Sequence, residues 1–356
     1  MKYKKIFNKK KILITGHTGF KGSWLTLWLQ SLGAKVIGVS KNIPTTPSHY
    51  ASLGIDKKIV SKKIDIKNLT KLKKVFKKYQ PDFVFHLAAQ SIVRKSYSNP
   101  VETWKTNLIG TLNVLESLKE IKKICTAVLI TSDKAYKNLE IKRGYTETDI
   151  IGGIDPYGAS KSAAEIVIQS HIKSFFSYNK NKVSIAVARA GNVIGGGDWS
   201  QDRLVPDCIK SCIKKKTVVL RNPKSTRPWQ HVLEVINGYL TLACKLKKNK
   251  NFHGEAFNFG PNLTRNHQVQ EVVSEMQKNW NIIKWKTRVN KKFFENTLLQ
   301  LDSSKSKKKL SWKSTLSFEK TIFLTIDWYK HFFEKKNNIM SKSLSQISYY
   351  ERSLNK

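Results

Sequence analysis

The sequence predicts an α/β protein in which a doubly wound parallel sheet carries a smaller C-terminal substrate-binding domain. Three observations carry this. Short β-branched runs alternate with longer segments of helical period, and a glycine-rich turn joins the first run to the first helix. The alternation weakens after about residue 191, where Gly and Pro become frequent and segments shorten.

Taken in order, strands are read at 11–15, 35–40, 63–66, 82–89, 126–132 and 183–190. Between the first two, Trp24, Leu25, Trp28, Leu29 and Leu32 recur at helical spacing and Gly33 supplies the stop, so one βαβ unit is explicit. Further helices fit Leu69, Leu72, Phe76 and Tyr79, then Trp104, Leu108, Leu112, Leu115 and Leu118, with a third running from Tyr157 toward Phe176. Parallel strands covered by helices on both faces make a Rossmann-type sheet. Residues 1–191 are read as a dinucleotide-binding domain to which 229–262 are free to return. Residues 192–335 then form the substrate domain, and 336–356 a polar, loosely ordered tail.

The chain has 356 residues, 40% apolar and 25% charged, which excludes disordered, collagen-like and small stapled classes. Its 65 Lys and Arg against 25 Asp and Glu give a net charge of +40, which invites a nucleic-acid reading. Only nine of the basic residues are Arg, the side chain that forks onto bases and phosphates. The scattered Lys, with no concentrated basic helix or aromatic platform, reads as a solvated surface, and no specific nucleic-acid partner is expected. Cys125, Cys208, Cys212 and Cys244 lack metal-type spacing and are read as buried, reduced thiols, with no metal. The basic start leads only into Ile12–Ile14 before Thr15 and Gly16, and no run nears the ~18 apolar residues of a membrane helix. A cytoplasmic protein without a membrane partner is expected.

Strand one runs straight into Gly16-His17-Thr18-Gly19-Phe20-Lys21-Gly22. Glycine at the first position permits the tight turn, at the second lets backbone approach a pyrophosphate, and at the third lets helix and strand pack closely. An isolated turn of this kind is as often a plain connection; the strand before it and the amphipathic helix after it favour a dinucleotide. The acid that should follow strand two to hold the ribose diol is missing, since the sequence there is Val39-Ser40-Lys41-Asn42. Ser40 and Lys41 suit a 2′-phosphate, so NAD and NADP both stay open at this point. Asp65 fits either an adenine contact or a turn.

Tyr157 and Lys161 stand four apart on one helix face. A nearby ammonium, together with a nicotinamide cation, stabilises a tyrosinate and makes the phenol a usable base. In so Lys-rich a chain such a pair is usually surface decoration, and it is the position after strand five that raises it. That strand ends in Thr131-Ser132-Asp133-Lys134-Ala135-Tyr136, setting a hydroxyl, a carboxylate and an amine at the edge where open α/β sheets bind ligands. The bland alternative is a charged Asx turn.

The loop, the Tyr-x-x-x-Lys pair, the segment His86-Leu87-Ala88-Ala89-Gln90 and the segment Arg227-Pro228-Trp229-Gln230-His231-Val232 together resemble the extended short-chain dehydrogenase/reductase family of nucleotide-sugar enzymes. The likeness spans roughly residues 8–335, and residues 15–25 and 131–136 resemble its 4,6-dehydratase branch most narrowly. The resemblance implies NAD held by Gly16, Thr18, Gly19, Phe20, Gly22, Asp65, Leu87, Ala88, Tyr157 and Lys161. It implies CDP-glucose as substrate, contacted by Gln90, Arg94, Asn192 and Arg227, the last two at its diphosphate and nucleotide. It further implies Tyr157 as the base on the sugar, activated by Lys161, with Ser132 on the same oxygen, Asp133 as general acid and Lys134 as the base at C5. A homodimer or higher homo-oligomer is the usual assembly. Trp229 and His231 are read as packing residues. A different nucleotide-sugar dehydratase or an epimerase is the alternative within the fold; Asp133 and Lys134 argue against the epimerase.

Overall fold

The computed structural model describes residues 3–141, 143–177, 182–220, 222–261, 266–287, 299–335 and 338–354. Seven strands build one sheet: β1 (Lys11–Thr15), β2 (Lys35–Ser40), β3 (Val60–Lys63), β4 (Phe83–His86), β5 (Cys125–Ile130), β6 (Val183–Ala190) and β7 (Ala256–Phe259). Their order is β3-β2-β1-β4-β5-β6-β7, and every neighbouring pair is parallel. The chain reverses its direction of growth between β1 and β4, and ligands of such sheets bind outside the carboxyl ends at that switch point.

The longer helices are α1 (Phe20–Ser31), α2 (Leu69–Tyr79), α3 (Gly110–Leu118), α4 (Pro156–Phe175), α5 (Leu204–Ile213), α6 (Val232–Lys248), α7 (Val269–Asn279), α8 (Phe318–Lys335) and α9 (Ile339–Ser353). The two-residue period of β1 sorts them into layers. Ile12 and Ile14 bury themselves with α1 and α6 through Leu25, Trp28, Leu233 and Leu240. Leu13 points to the opposite face, into a core with Leu72 and Phe76 of α2, Leu115 of α3 and Ile168 of α4. Each such Leu or Ile, wholly withdrawn from water, contributes roughly 1.5–3 kcal/mol.

Three strands start or stop away from the sequence-based bounds, the fifth, expected at 126–132, occupying Cys125–Ile130. The third, expected at 63–66, occupies Val60–Lys63, because Asp65 opens a turn in which its Oδ1 accepts the Lys67 N–H at 3.0 Å. The fourth ends at His86 and not at 89, since the chain then bends over β1: Leu87 N–H donates to Thr15 O at 3.0 Å and Ala88 N–H to Thr15 Oγ1 at 3.3 Å.

The loosely ordered tail expected beyond residue 336 is corrected. From Ile339 to Ser353 the chain is helical, capped by Asn338, with Ile339, Ile347 and Tyr350 buried. The apolar residues of this polar segment recur at helical spacing, which gives it one face to bury. Tyr350 donates to Glu234 Oε2 at 2.6 Å, and Trp28 donates to Glu351 Oε1 at 3.1 Å, tying the end of the chain to α6 and α1. The Gly195-Gly196-Gly197 loop is equally fixed: a Cβ on Gly196 would stand 2.0 Å from the Trp328 ring, and Trp24 donates to Gly196 O at 2.9 Å. All four cysteines are buried and unbridged. Among the described residues no helix is long and apolar enough to cross a membrane, and no group of His, Cys, Asp and Glu has the make-up of a metal site.

Candidate active site

The phosphate loop leaves β1 at Gly16 with φ +78°, and a Cβ there would stand 2.7 Å from Ala88 N. Gly22 is tighter still, its added Cβ falling 2.0 Å from Gly16 O, so α1 packs onto the turn only with glycine in that place. α1 starts at Phe20 with no side-chain cap from Gly19 and no acid in its first turn. Its N–H groups and the positive end of its dipole therefore open onto the switch point without a competing anion of the chain's own. This fits the pyrophosphate of a dinucleotide. Thr18 binds the loop to the end of β2 by donating to Asn42 O at 2.7 Å.

The predicted catalytic residues meet at the end of β5. The turn Asp133–Ala135 presses on the first two turns of α4, where Ser162 donates to Ala135 O at 2.8 Å and a Cβ on Gly158 would stand 2.7 Å from Lys134 O. Glycine next to Tyr157 is thus what lets the turn approach. Ser132 is buried and donates to Asp133 Oδ1 at 2.8 Å, and its Oγ accepts the Lys134 N–H at 3.2 Å. Asp133 is only 4% exposed, yet its Oδ2 has no hydrogen-bond partner among the described residues. That oxygen lies beside Gly191 at the end of β6, where an added Cβ would approach it to 3.0 Å. A buried carboxylate oxygen without a donor is costly, and such atoms concentrate at sites built for a ligand.

Tyr157 and Lys161 are both buried. Burial pushes the Tyr157 phenol up to about 12; the Ser132 hydroxyl opposes this, Asp133 adds to it and Arg203 opposes it. Burial pulls Lys161 down to about 8, against the pull of Glu165. The ammonium alone therefore does not bring the phenol toward neutral pH, because desolvation of both groups outweighs their spacing on one helix face. Lys161 directs Nζ at Ile130 O, 3.5 Å away.

The predicted substrate residues line up less uniformly. Gln90 spends its amide on its own chain: Nε2 donates to Ile92 O and Thr103 Oγ1, each at 3.0 Å, and Oε1 accepts from Ile92 N–H at 2.7 Å. Arg94 is exposed and pairs with Asp202 at 3.0 Å. Asn192 follows β6, and its carbonyl accepts the Gln230 N–H at 3.1 Å. Arg227 lies in a short antiparallel pairing with His267, its Nη1 donating to Thr226 O at 2.7 Å. Trp229 donates to His267 O at 3.2 Å and His231 caps α6 from a buried position, as packing residues do.

Several site residues went unnamed in the sequence. Lys21 and Arg203 join the corner: burial pulls Lys21 down to about 8, Arg203 and Lys161 push it further, and Asp133 and Asp198 oppose them. Arg203 is held by Asp198 at 3.0 Å. Asn107 braces the segment after β4 against α4, accepting the Gln90 N–H at 2.9 Å and donating to Gln90 O at 3.0 Å and Ser160 Oγ at 2.9 Å. Below the corner, Arg189 of β6 forks onto Glu165 of α4, its Nε lying 2.9 and 3.0 Å from the two carboxylate oxygens. Arg189 also donates to Tyr136 Oη at 2.6 Å, and Thr131 donates to Glu165 at 2.6 Å. The one local signal was Glu165 itself, four residues beyond Lys161 on the same face.

A Rossmann-type sheet with a Tyr-x-x-x-Lys helix at its carboxyl edge is the architecture of the short-chain dehydrogenase/reductase class. Within it, the chain belongs to the family described as GDP-mannose 4,6 dehydratase, whose model matches residues 13–325. The chain is 40% identical over 331 residues to the CDP-glucose 4,6-dehydratase of Salmonella typhimurium, with 92% of each chain covered. Its fold is similar to that of an epimerase from Methanothermobacter thermautotrophicus, with TM-score 0.80, 25% identity, and 94% of this chain and 96% of that one covered. It is also similar to a dTDP-glucose 4,6-dehydratase from Streptomyces venezuelae solved with NAD and TYD bound, with TM-score 0.75, 19% identity, and 92% and 98% covered. The family resemblance carried by the motifs is borne out.

Proposed function

We propose that the chain is a hydro-lyase that converts CDP-glucose to CDP-4-keto-6-deoxyglucose and water, in the cytoplasm and as a homo-oligomer, for deoxysugar and surface-polysaccharide synthesis. The observation that carries the reading is the Ser132-Asp133-Lys134 turn, set against the Tyr157 helix with one carboxylate oxygen of Asp133 buried and unpartnered. The relative at 40% identity supports the choice of cytidine.

NAD, held by Gly16, Thr18, Gly19, Phe20, Gly22, Asp65, Leu87 and Ala88, supplies when bound a hydride acceptor that returns what it takes, so the reaction is redox-neutral. Tyr157 takes the proton of the C4 hydroxyl, with Lys161 stabilising the tyrosinate and Ser132 bonding the C4 oxygen. A ketone at C4 acidifies the C5 proton, which Lys134 removes and returns to C5 once the C6 hydroxyl has left. Asp133 acts as general acid on the departing C6 hydroxyl, and the C–O bond breaks to release water. Arg227 and Asn192 hold the diphosphate and nucleotide, a task for which a guanidinium fork suits two oxygens at once. Gln90 and Arg94 complete the rim, and the parts of residues 192–335 outside α6 and β7 cover the nucleotide sugar.

The test offers the purified protein CDP-glucose, dTDP-glucose, UDP-glucose and GDP-mannose without added NADH, with NMR detection of a 4-keto product. Conversion of CDP-glucose is expected. Turnover of dTDP-glucose alone overturns the cytidine assignment, and stoichiometric build-up of reduced cofactor overturns the internal redox cycle.

A further inference from the structure

Cofactor choice in this fold falls to the tip of β2, where a carboxylate meets a ribose diol or a cation accommodates a 2′-phosphate. Here β2 ends in Ser40, followed by Lys41 and Asn42, with no acid among them. The structure nevertheless commits both groups that suit a phosphate. Ser40 Oγ shares a hydrogen bond with His17 Nδ1 at 2.9 Å and accepts the Thr18 N–H at 3.4 Å. Lys41 Nζ lies 3.3 Å from Asp65 Oδ2 and 3.7 Å from Glu102 Oε1.

The two carboxylates come from separate segments, the turn after β3 and the short helix Pro100–Trp104, and both also meet Lys67. Its ammonium is 2.6 Å from Glu102 and 3.6 Å from Asp65. The Lys67 hydrogen bond holds the Glu102 carboxyl below its ordinary range, with Lys41 helping, so the acid stays charged. Thr18 of the phosphate loop bonds to Asn42 O, so the backbone next to Lys41 stands against the loop.

We infer that Glu102, acting with Asp65, selects NAD over NADP by neutralising Lys41 and setting two carboxylates beside the place of a 2′-phosphate. The inference rests on the dinucleotide reading of the Gly16–Gly22 loop. Two acids against two lysines leave the corner without net charge, so a phosphate gains no attraction from it and must part Lys41 from its partners to bind. A ribose diol, being neutral, meets neither obstacle.

The test measures dissociation constants of NAD and NADP for the full chain, without sugar, by quenching of tryptophan fluorescence. The wild type is expected to bind NAD more tightly. Glu102→Gln is expected to tighten NADP about tenfold, the scale of removing one charge a few ångströms away in a partly wet site, with NAD changed less than about twofold. Adding Lys41→Ala to that variant is expected to remove the gain, and raising salt to shrink it. Asp65→Asn should move the ratio the same way. A wild type that prefers NADP, an unchanged ratio in Glu102→Gln with an unaltered melting temperature, or a gain that survives Lys41→Ala each overturns the inference. If neither dinucleotide binds, the loop reading falls as well; if NAD binds and the ratio stays fixed, only the selection role falls.

Discussion

The two corners that flank the phosphate loop treat charge in opposite ways. At the end of β5, Asp133, Tyr157 and Lys161 are withdrawn from water, and burial moves Tyr157 up to about 12 and Lys161 down to about 8. Beyond β2, Lys41, Lys67, Asp65 and Glu102 keep 25–61% of their side-chain surface exposed and cancel one another within 4 Å. Groups that must gain and lose protons are poised by desolvation, which a chain tolerates only in a small, stiff site. Groups that only recognise are left wet and paired, where each contact is worth little and the sum of charges does the selecting.

The contrast is broken hardest by removing the proton acceptor. Tyr157→Phe is expected to lower kcat on CDP-glucose by roughly 10²–10⁴-fold while the thermal melt stays in place; a variant that retains full rate removes Tyr157 from the proposed chemistry. Next comes the buried clamp beneath the corner. Arg189→Met strands the Glu165 carboxylate and is expected to destabilise the fold by about 3–5 kcal/mol in chemical denaturation, whereas Arg189→Met with Glu165→Met should recover most of that loss.

Asp133→Asn sharpens the comparison, since it is expected to slow dehydration at least about 100-fold and yet to stabilise the fold by roughly 1–3 kcal/mol, the buried carboxylate oxygen without a donor being gone. Denaturation and rate measured on one preparation check the pair of signs. In the same series, Lys134→Ala is expected to lose solvent-deuterium exchange at C5, and undiminished exchange would mean another group takes that proton.

Acid should reach the buried histidines before it reaches the paired surface. Burial holds His17 at about 4 and His49, His86 and His231 at about 3, below the ordinary 6.5. The unfolded chain therefore binds more protons than the folded one, and stability present above pH 6.5 is lost as pH falls toward 4 and 3. A denaturation series from pH 7 to 4 should show that loss, and a flat profile would refute the buried neutral assignment. The smallest effect belongs to Arg94→Ala, whose exposed pair with Asp202 is worth under about 1 kcal/mol. A raised KM for CDP-glucose with unchanged stability would place Arg94 on the substrate, and an unchanged KM would leave it a surface ion pair.

Much of this was legible along the chain. Strands at 11–15, 35–40 and 183–190 coincide with β1, β2 and β6, because the runs that form them are short, β-branched and bounded by turn residues. The glycines of the phosphate loop and the four-residue step from Tyr157 to Lys161 are local features, and local spacing survives folding. The shift of β3 came from a hydrogen bond that Asp65 makes to its own turn, a competition that residue pattern alone does not rank. The apolar face of α9 was diluted by Ser and Lys and emerged only once α1 and α6 offered it somewhere to pack.

The sequence by itself determined the alternation of strand and helix, the turn that only glycine can make, and which chemical groups stand at the strand ends, since these depend on neighbours a few bonds away. The tertiary structure alone decided that Arg189 meets Glu165, that Glu102 reaches Lys41 across 61 positions, and that Tyr157 and Lys161 lose their water. Protonation and charge pairing depend on depth and on distance through space, and the chain acquires both only when the sheet has closed its layers.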